Sequence, residues 1–116
     1  MLKDIQTKTD VTLLVTTFYD KVWKDTLLAP FFKHLDFEKH LPQMIHFWSF
    51  ALLDEPGYAT NVTEKHLKMR IQKEHFDQWL HLFSNTVNEL FSGEKAEMAM
   101  QRAAVIGWTI QSKMNT

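Results

Sequence analysis

Residues 73–91 read KEHFDQWLHLFSNTVNELF. The apolar residues Phe76, Trp79, Phe83, Val87 and Leu90 recur at steps of three and four, the period of one helix face. Ser92-Gly93 ends the pattern. This stretch predicts a long amphipathic helix, which sets the class of the whole chain. Downstream, Ser92 or Gly93 opens a last helix to about Lys113. Its stripe of Ala99, Ala103, Ile106 and Ile110 has small members that admit a close neighbour.

The same period continues upstream. A second long helix is expected from Phe37 or Leu41 to Leu53, with His40, Met44, Phe47, Trp48 and Ala51 on its stripe. Pro42 is expected in its first turn, where a missing N–H costs little. Asp54-Glu55-Pro56-Gly57 breaks it. The first long helix is expected to take Asp10 as its cap and to run to about Asp25, burying Val15, Phe18, Tyr19 and Val22. Residues 1–9 read as a polar lead. Ala29-Pro30 stops regular helix before a tight Phe31-Phe32 corner. Residues 58–72 are irregular, with a short helix expected over 61–67. The result is one all-α domain, residues 1–116, of four main helices.

Composition agrees. Gly and Pro number three each, too few for many short strands. Cysteine is absent, which excludes disulfides, iron–sulfur clusters and thiolate zinc. The net charge of −1 and the lack of a basic run speak against nucleic acid. No apolar stretch approaches the ~20 residues of a membrane span. The polar opening does not look like a signal peptide, so a cytoplasmic location is expected. Nine Phe, four Trp and two Tyr either fill a core or line a pocket for something flat.

His66 is the first candidate for chemistry. In a helix it lies one turn after Val62, whose carbonyl can accept one ring N–H and leave the other nitrogen directed at a metal. Read locally, the commoner alternative is a surface histidine beside Lys65 and Lys68. Tyr19 and Trp79 each carry a polar atom on an apolar stripe, either satisfied by a backbone carbonyl or aimed into a cavity. His40 reads as a solvent residue or a pocket donor. His34, His46, His75 and His81 form no zinc pattern and read as structural or exposed.

Taken in order, these residues resemble the truncated haemoglobins over nearly the whole chain. The series is Phe18-Tyr19, Pro30-Phe31-Phe32, His40 with Met44 and Phe47-Trp48, His66, then Trp79. The segment His66-Leu67-Lys68-Met69-Arg70 resembles the family's proximal segment. Group III is the closest resemblance, because no Gly-Gly pair occurs. The resemblance implies a two-on-two helical sandwich enclosing haem b, with His66 as proximal iron ligand. Tyr19, His40 and Trp79 become distal donors, and His40 is alternatively a gate or a sixth ligand. Phe32, Met44, Phe47, Val62, Met69, Arg70, Ile71, Phe76 and Trp79 become haem contacts.

The implied function is reversible binding of dioxygen and other small ligands such as nitric oxide, carbon monoxide and cyanide. The alternative is peroxidase-like or nitric-oxide-detoxifying activity, which would need a separate reductase. A monomer is expected.

Overall fold

Thr7 and Asp10 start the first helix together. The Thr7 hydroxyl accepts the Asp10 backbone N–H at 3.2 Å. The Asp10 carboxylate accepts the N–H of Thr7 at 3.1 Å and of Gln6 at 2.9 Å. This reciprocal box pairs N–H groups that a first turn leaves without partners. Helix α1 therefore runs Lys8–Lys24. Asp10 stands inside it, not at its cap as the sequence suggested, because Thr-x-x-Asp uses both side chains where a lone Asp uses one.

The computed structural model describes residues 2–32, 37–54 and 72–114. After α1 come α2 (Ala29–Phe32), α3 (Phe37–Leu53), α4 (Lys73–Leu90) and α5 (Glu94–Met114). No strand occurs among the described residues, and no helix among them is long and apolar enough to cross a membrane. The short helix expected over 61–67 lies outside them. Two prolines differ from expectation. Pro30 sits in the first turn of a short helix, a position that needs no N–H. Pro42 lies inside α3, because that helix already begins at Phe37, and so removes one helical hydrogen bond.

Helix α1 packs on α3 and α4 packs on α5. The two pairs meet where α1 crosses α4 and α3 touches α5. This is the two-on-two arrangement. Val11, Leu14, Val15, Phe18, Tyr19 and Val22 form the buried stripe of α1. Ala96, Ala99 and Ala103 bury a small-residue face of α5, which gives α4 the close approach read from the sequence. Met44, Trp48 and Leu52 complete the core from α3.

The N-terminal lead is a clasp. Its Asp4 carboxylate accepts the N–H groups of Lys95 and Ala96, both at 2.9 Å, at the start of α5. Ser92 N–H donates to the Lys3 carbonyl at 2.9 Å, and Ile5 is 1% exposed. Gly93 permits the approach. Its φ is +140°, and a Cβ there would stand 2.6 Å from Asp4 Cγ.

Asp25 ties the other end of α1. Its carboxylate accepts the N–H groups of Leu27 at 2.9 Å and Leu28 at 3.0 Å, and the Gln78 side-chain amide of α4 at 2.7 Å.

All three aspartates are held below the usual carboxylate range. Burial works against ionisation, but hydrogen bonds outweigh it. They come from Lys95, Ala96 and Ile5 N–H at Asp4, from Gln6, Lys3 and Thr7 at Asp10, and from Gln78, Leu28 and Leu27 at Asp25. A carboxyl with a depressed folded pKa binds fewer protons when folded. Its contribution is complete above the unfolded value near ~3.9 and is lost as pH falls through the folded value. Urea unfolding should therefore show stability declining from about pH 5 downward, with a shallower acid limb in Asp4→Asn. Gly93→Ala should lower stability at neutral pH by about 2 kcal/mol, from backbone strain and the Asp4 clash. An unchanged urea midpoint would contradict the clasp.

Candidate functional site

Helices α1 and α3 each bring one polar tip to a common point. Tyr19 is carried on the α1 stripe and is 6% exposed. Its hydroxyl lies 3.3 Å from Nε2 of His40, near the start of α3. The rings meet edge to face, with centroids 5.3 Å apart. Either the phenol donates to an unprotonated Nε2 or an Nε2–H donates to the phenol oxygen, according to the histidine tautomer. Burial pushes the Tyr19 phenol well above its usual range, since apolar surroundings penalise the phenolate. Tyr19 is thus a standing O–H donor.

Trp79 comes from α4 and joins the pair through Phe18. The Phe18 ring meets Tyr19 at 5.1 Å and Trp79 at 5.8 Å. Trp79 is half-buried and stacks on Phe83, one helical turn along, with planes 12° apart. Of the expected contacts, Met44 is buried in the same core as Tyr19, and Phe47 packs against it. Phe76 is buried in the first turn of α4. Phe32 closes α2, but its side chain lies outside the described residues, as do His66, Val62, Met69, Arg70 and Ile71.

A cleft of about 280 Å³ opens beside Tyr19, lined also by Thr16, Asp20, Trp23 and Leu41. A small side chain at position 19 would extend it inward, so Phe is the informative replacement there.

The ring contacts were not read from the sequence. Phe83 read only as a stripe residue and Phe18 as a stripe residue that opens the family series, since periodicity gives a face and not a ring contact. His75, grouped with structural or exposed histidines, is structural: it is 8% exposed and its Nδ1 accepts the Gln72 N–H at 2.9 Å, closing the start of α4.

A family profile described as bacterial-like globin matches residues 3–112. The chain is 31% identical to the group 3 truncated haemoglobin of Campylobacter jejuni over 108 residues, 87% of this chain and 85% of that protein. The chain belongs to the truncated globin family.

The crystal structure of the group III truncated haemoglobin from Campylobacter jejuni superposes with a TM-score of 0.88. The match has 29% identity and covers 98% of this chain and 95% of that one. The truncated haemoglobin of Tetrahymena pyriformis, a variant in its Fe(III) form, gives 0.70 at 27% identity, over 91% and 89% of the two chains. This truncated haemoglobin is therefore most like group III, and as a globin it is a haem-binding protein. Its described residues fit that group chemically. A protonated phenol and an imidazole stand together amid aromatic and aliphatic side chains, a setting suited to a small polar ligand inside an apolar pocket.

The buried phenol makes a direct prediction. In a spectrophotometric titration, Tyr19 should stay protonated past the ordinary tyrosine value near ~10 and ionise only as the fold opens. Tyr19→Phe should delete that late phase. A Tyr19 phase at the ordinary value would contradict the buried site.

Proposed function

We propose that this truncated haemoglobin binds haem b through His66 and reversibly holds dioxygen under hydrogen bonds from Tyr19, His40 and Trp79. One observation carries the reading: the buried Tyr19 hydroxyl, kept protonated by its surroundings, stands 3.3 Å from His40 Nε2. Haem, when bound, supplies an iron that takes an axial imidazole and a small ligand such as dioxygen, nitric oxide, carbon monoxide or cyanide.

His66 is the axial imidazole of this reading, on the strength of the proximal segment it heads. Phe32, Met44, Phe47, Val62, Met69, Ile71 and Phe76 supply apolar contacts in this reading. Arg70, with Lys65 and Lys68, offers cations for the propionates.

Tyr19 donates its O–H to the partly negative atom of the ligand. In a desolvated pocket such a bond is worth about 1–3 kcal/mol. Trp79 offers a second N–H. His40 orients the phenol, or turns to serve as donor, gate or sixth ligand. The reading takes the protein as a cytoplasmic monomer.

The Tyr19–His40 contact also supports a second reading. A fixed O–H donor beside an imidazole can polarise an O–O bond, with the imidazole taking any proton that moves, as peroxidase-like or nitric-oxide-detoxifying chemistry would use. That activity would depend on a separate reductase. Peroxide turnover no faster than that of free haem would remove it.

Stopped-flow measurement on the oxygenated protein should give a slow dissociation rate. Tyr19→Phe should raise it by about tenfold, the equivalent of one 1.4 kcal/mol hydrogen bond. A change within about twofold defeats the hydrogen-bond assignment. His66→Ala should lose stable axial ligation, and a wild-type optical spectrum in that variant overturns the proximal assignment.

A further inference from the structure

We propose that Phe83 is a positioning residue for Trp79, fixing the plane in which the indole N–H donates. The inference rests on the reading of Trp79 as a pocket donor.

Phe83 is 0% exposed, whereas Trp79 is half-buried. Dense packing therefore fixes Phe83 more firmly than Trp79. An indole that is not fully enclosed can swing about χ2, whose preference is broad. Such a swing keeps the ring near its site but redirects the N–H. Hydrogen bonds from that N–H weaken steeply as the angle at hydrogen falls.

Two ring contacts oppose the swing. Phe83 stacks on Trp79 with centroids 5.8 Å apart and planes 12° apart. Phe18 meets Trp79 edge-on, at 5.8 Å and 82°. A face on one contact and an edge on the other define both the tilt and the roll of the indole.

Phe83 is itself anchored from outside α4. It stacks on Trp48 of α3 at 4.8 Å and 22°, and Phe18 of α1 meets its ring at 5.2 Å and 86°. Trp48 is 5% exposed and Phe18 is 2% exposed. The orientation of Trp79 is thus referred to α1 and α3, the helices that carry Tyr19 and His40. Phe18 also touches Tyr19, at 5.1 Å. The same rings set Trp79 relative to the other two polar tips. Leucine at position 83 would keep an apolar side chain there but remove the flat face.

The test uses the full chain reconstituted with haem, with carbon monoxide as probe. The C–O stretching band reports the donors around the ligand. Phe83→Leu is expected to shift or split that band and to raise the oxygen dissociation rate about fivefold, a coupling of the size found between side chains in contact. In a Trp79→Phe background the same substitution should add nothing to either readout. Trp48→Phe, which keeps the core filled, is the second variant and is expected to broaden the band.

If Trp79→Phe leaves both readouts at wild-type values, the reading of Trp79 as a donor is wrong. If Trp79→Phe moves them, two results overturn the positioning role. One is an unchanged band in Phe83→Leu, or in Trp48→Phe should the leucine variant not fold. The other is a Phe83→Leu effect that persists in full without Trp79.

Discussion

Phe83 meets an aromatic ring from each of three helices: Phe18 of α1, Trp48 of α3 and Trp79 of its own α4. It stands where the α1–α3 pair meets the α4–α5 pair, at the crossing of α1 and α4. Aromatic pairs add about 0.5–1.5 kcal/mol each beyond the area they bury, so this junction binds the two layers with direction as well as strength. Direction matters in a chain of 116 residues. A domain near this size buries only about 65–70% of its unfolded surface, and bulky flat side chains compensate by filling space with few residues. Alanines on α5 keep that helix close behind α4, leaving the face of α4 with Phe83 and Val87 for the aromatic layer.

The helices were legible because their stripes are dense. Phe76, Trp79, Phe83 and Val87 repeat at the helical period, and α4 forms where they do. What escaped was long-range. Asp4 reaches Lys95 and Ala96 across 91 and 92 residues, and no local rule connects a polar lead to a helix start that far away. Asp10 shows the opposite case: the Thr7-x-x-Asp10 signal was local and readable, but a good lone cap residue took precedence over the box. Pro42 illustrates a tertiary override. It lies inside α3 although it removes a hydrogen bond there, and the helix takes Phe37 to Leu41 ahead of it.

The site was half legible for a related reason. Tyr19 stood on an apolar stripe, and its two readings were a satisfied core aromatic or a pocket donor. The fold buries it and sets its hydroxyl within reach of His40. That contact joins residues 21 positions apart on different helices, which spacing alone does not disclose; the resemblance to the truncated haemoglobins gave both residues distal roles but not the contact between them. Phe18 and Phe83 were invisible as site residues because a stripe position says that a ring is buried, not which ring it faces. His66 draws its standing from the family resemblance, since read locally a surface histidine is the commoner alternative.

The choice of polar residues around the aromatic layer follows from burial. A lysine in the place of Tyr19 would be driven toward its neutral form by the same desolvation that protects the phenol, and its charge would be lost where a donor is wanted. Phenol and indole avoid this, because their donating form is already neutral. Imidazole differs from both, since a neutral ring can accept at one nitrogen and donate at the other. Tyr19 therefore holds the fixed proton of the pair and His40 the adjustable one. While the phenol donates to Nε2, His40 need only accept. Once the phenol donates elsewhere, the 3.3 Å contact survives only if Nε2 carries a hydrogen and donates to the phenol oxygen. The direction of the phenol O–H and the histidine tautomer are thus two sides of one hydrogen-bond geometry, anchored on a phenol that burial keeps protonated.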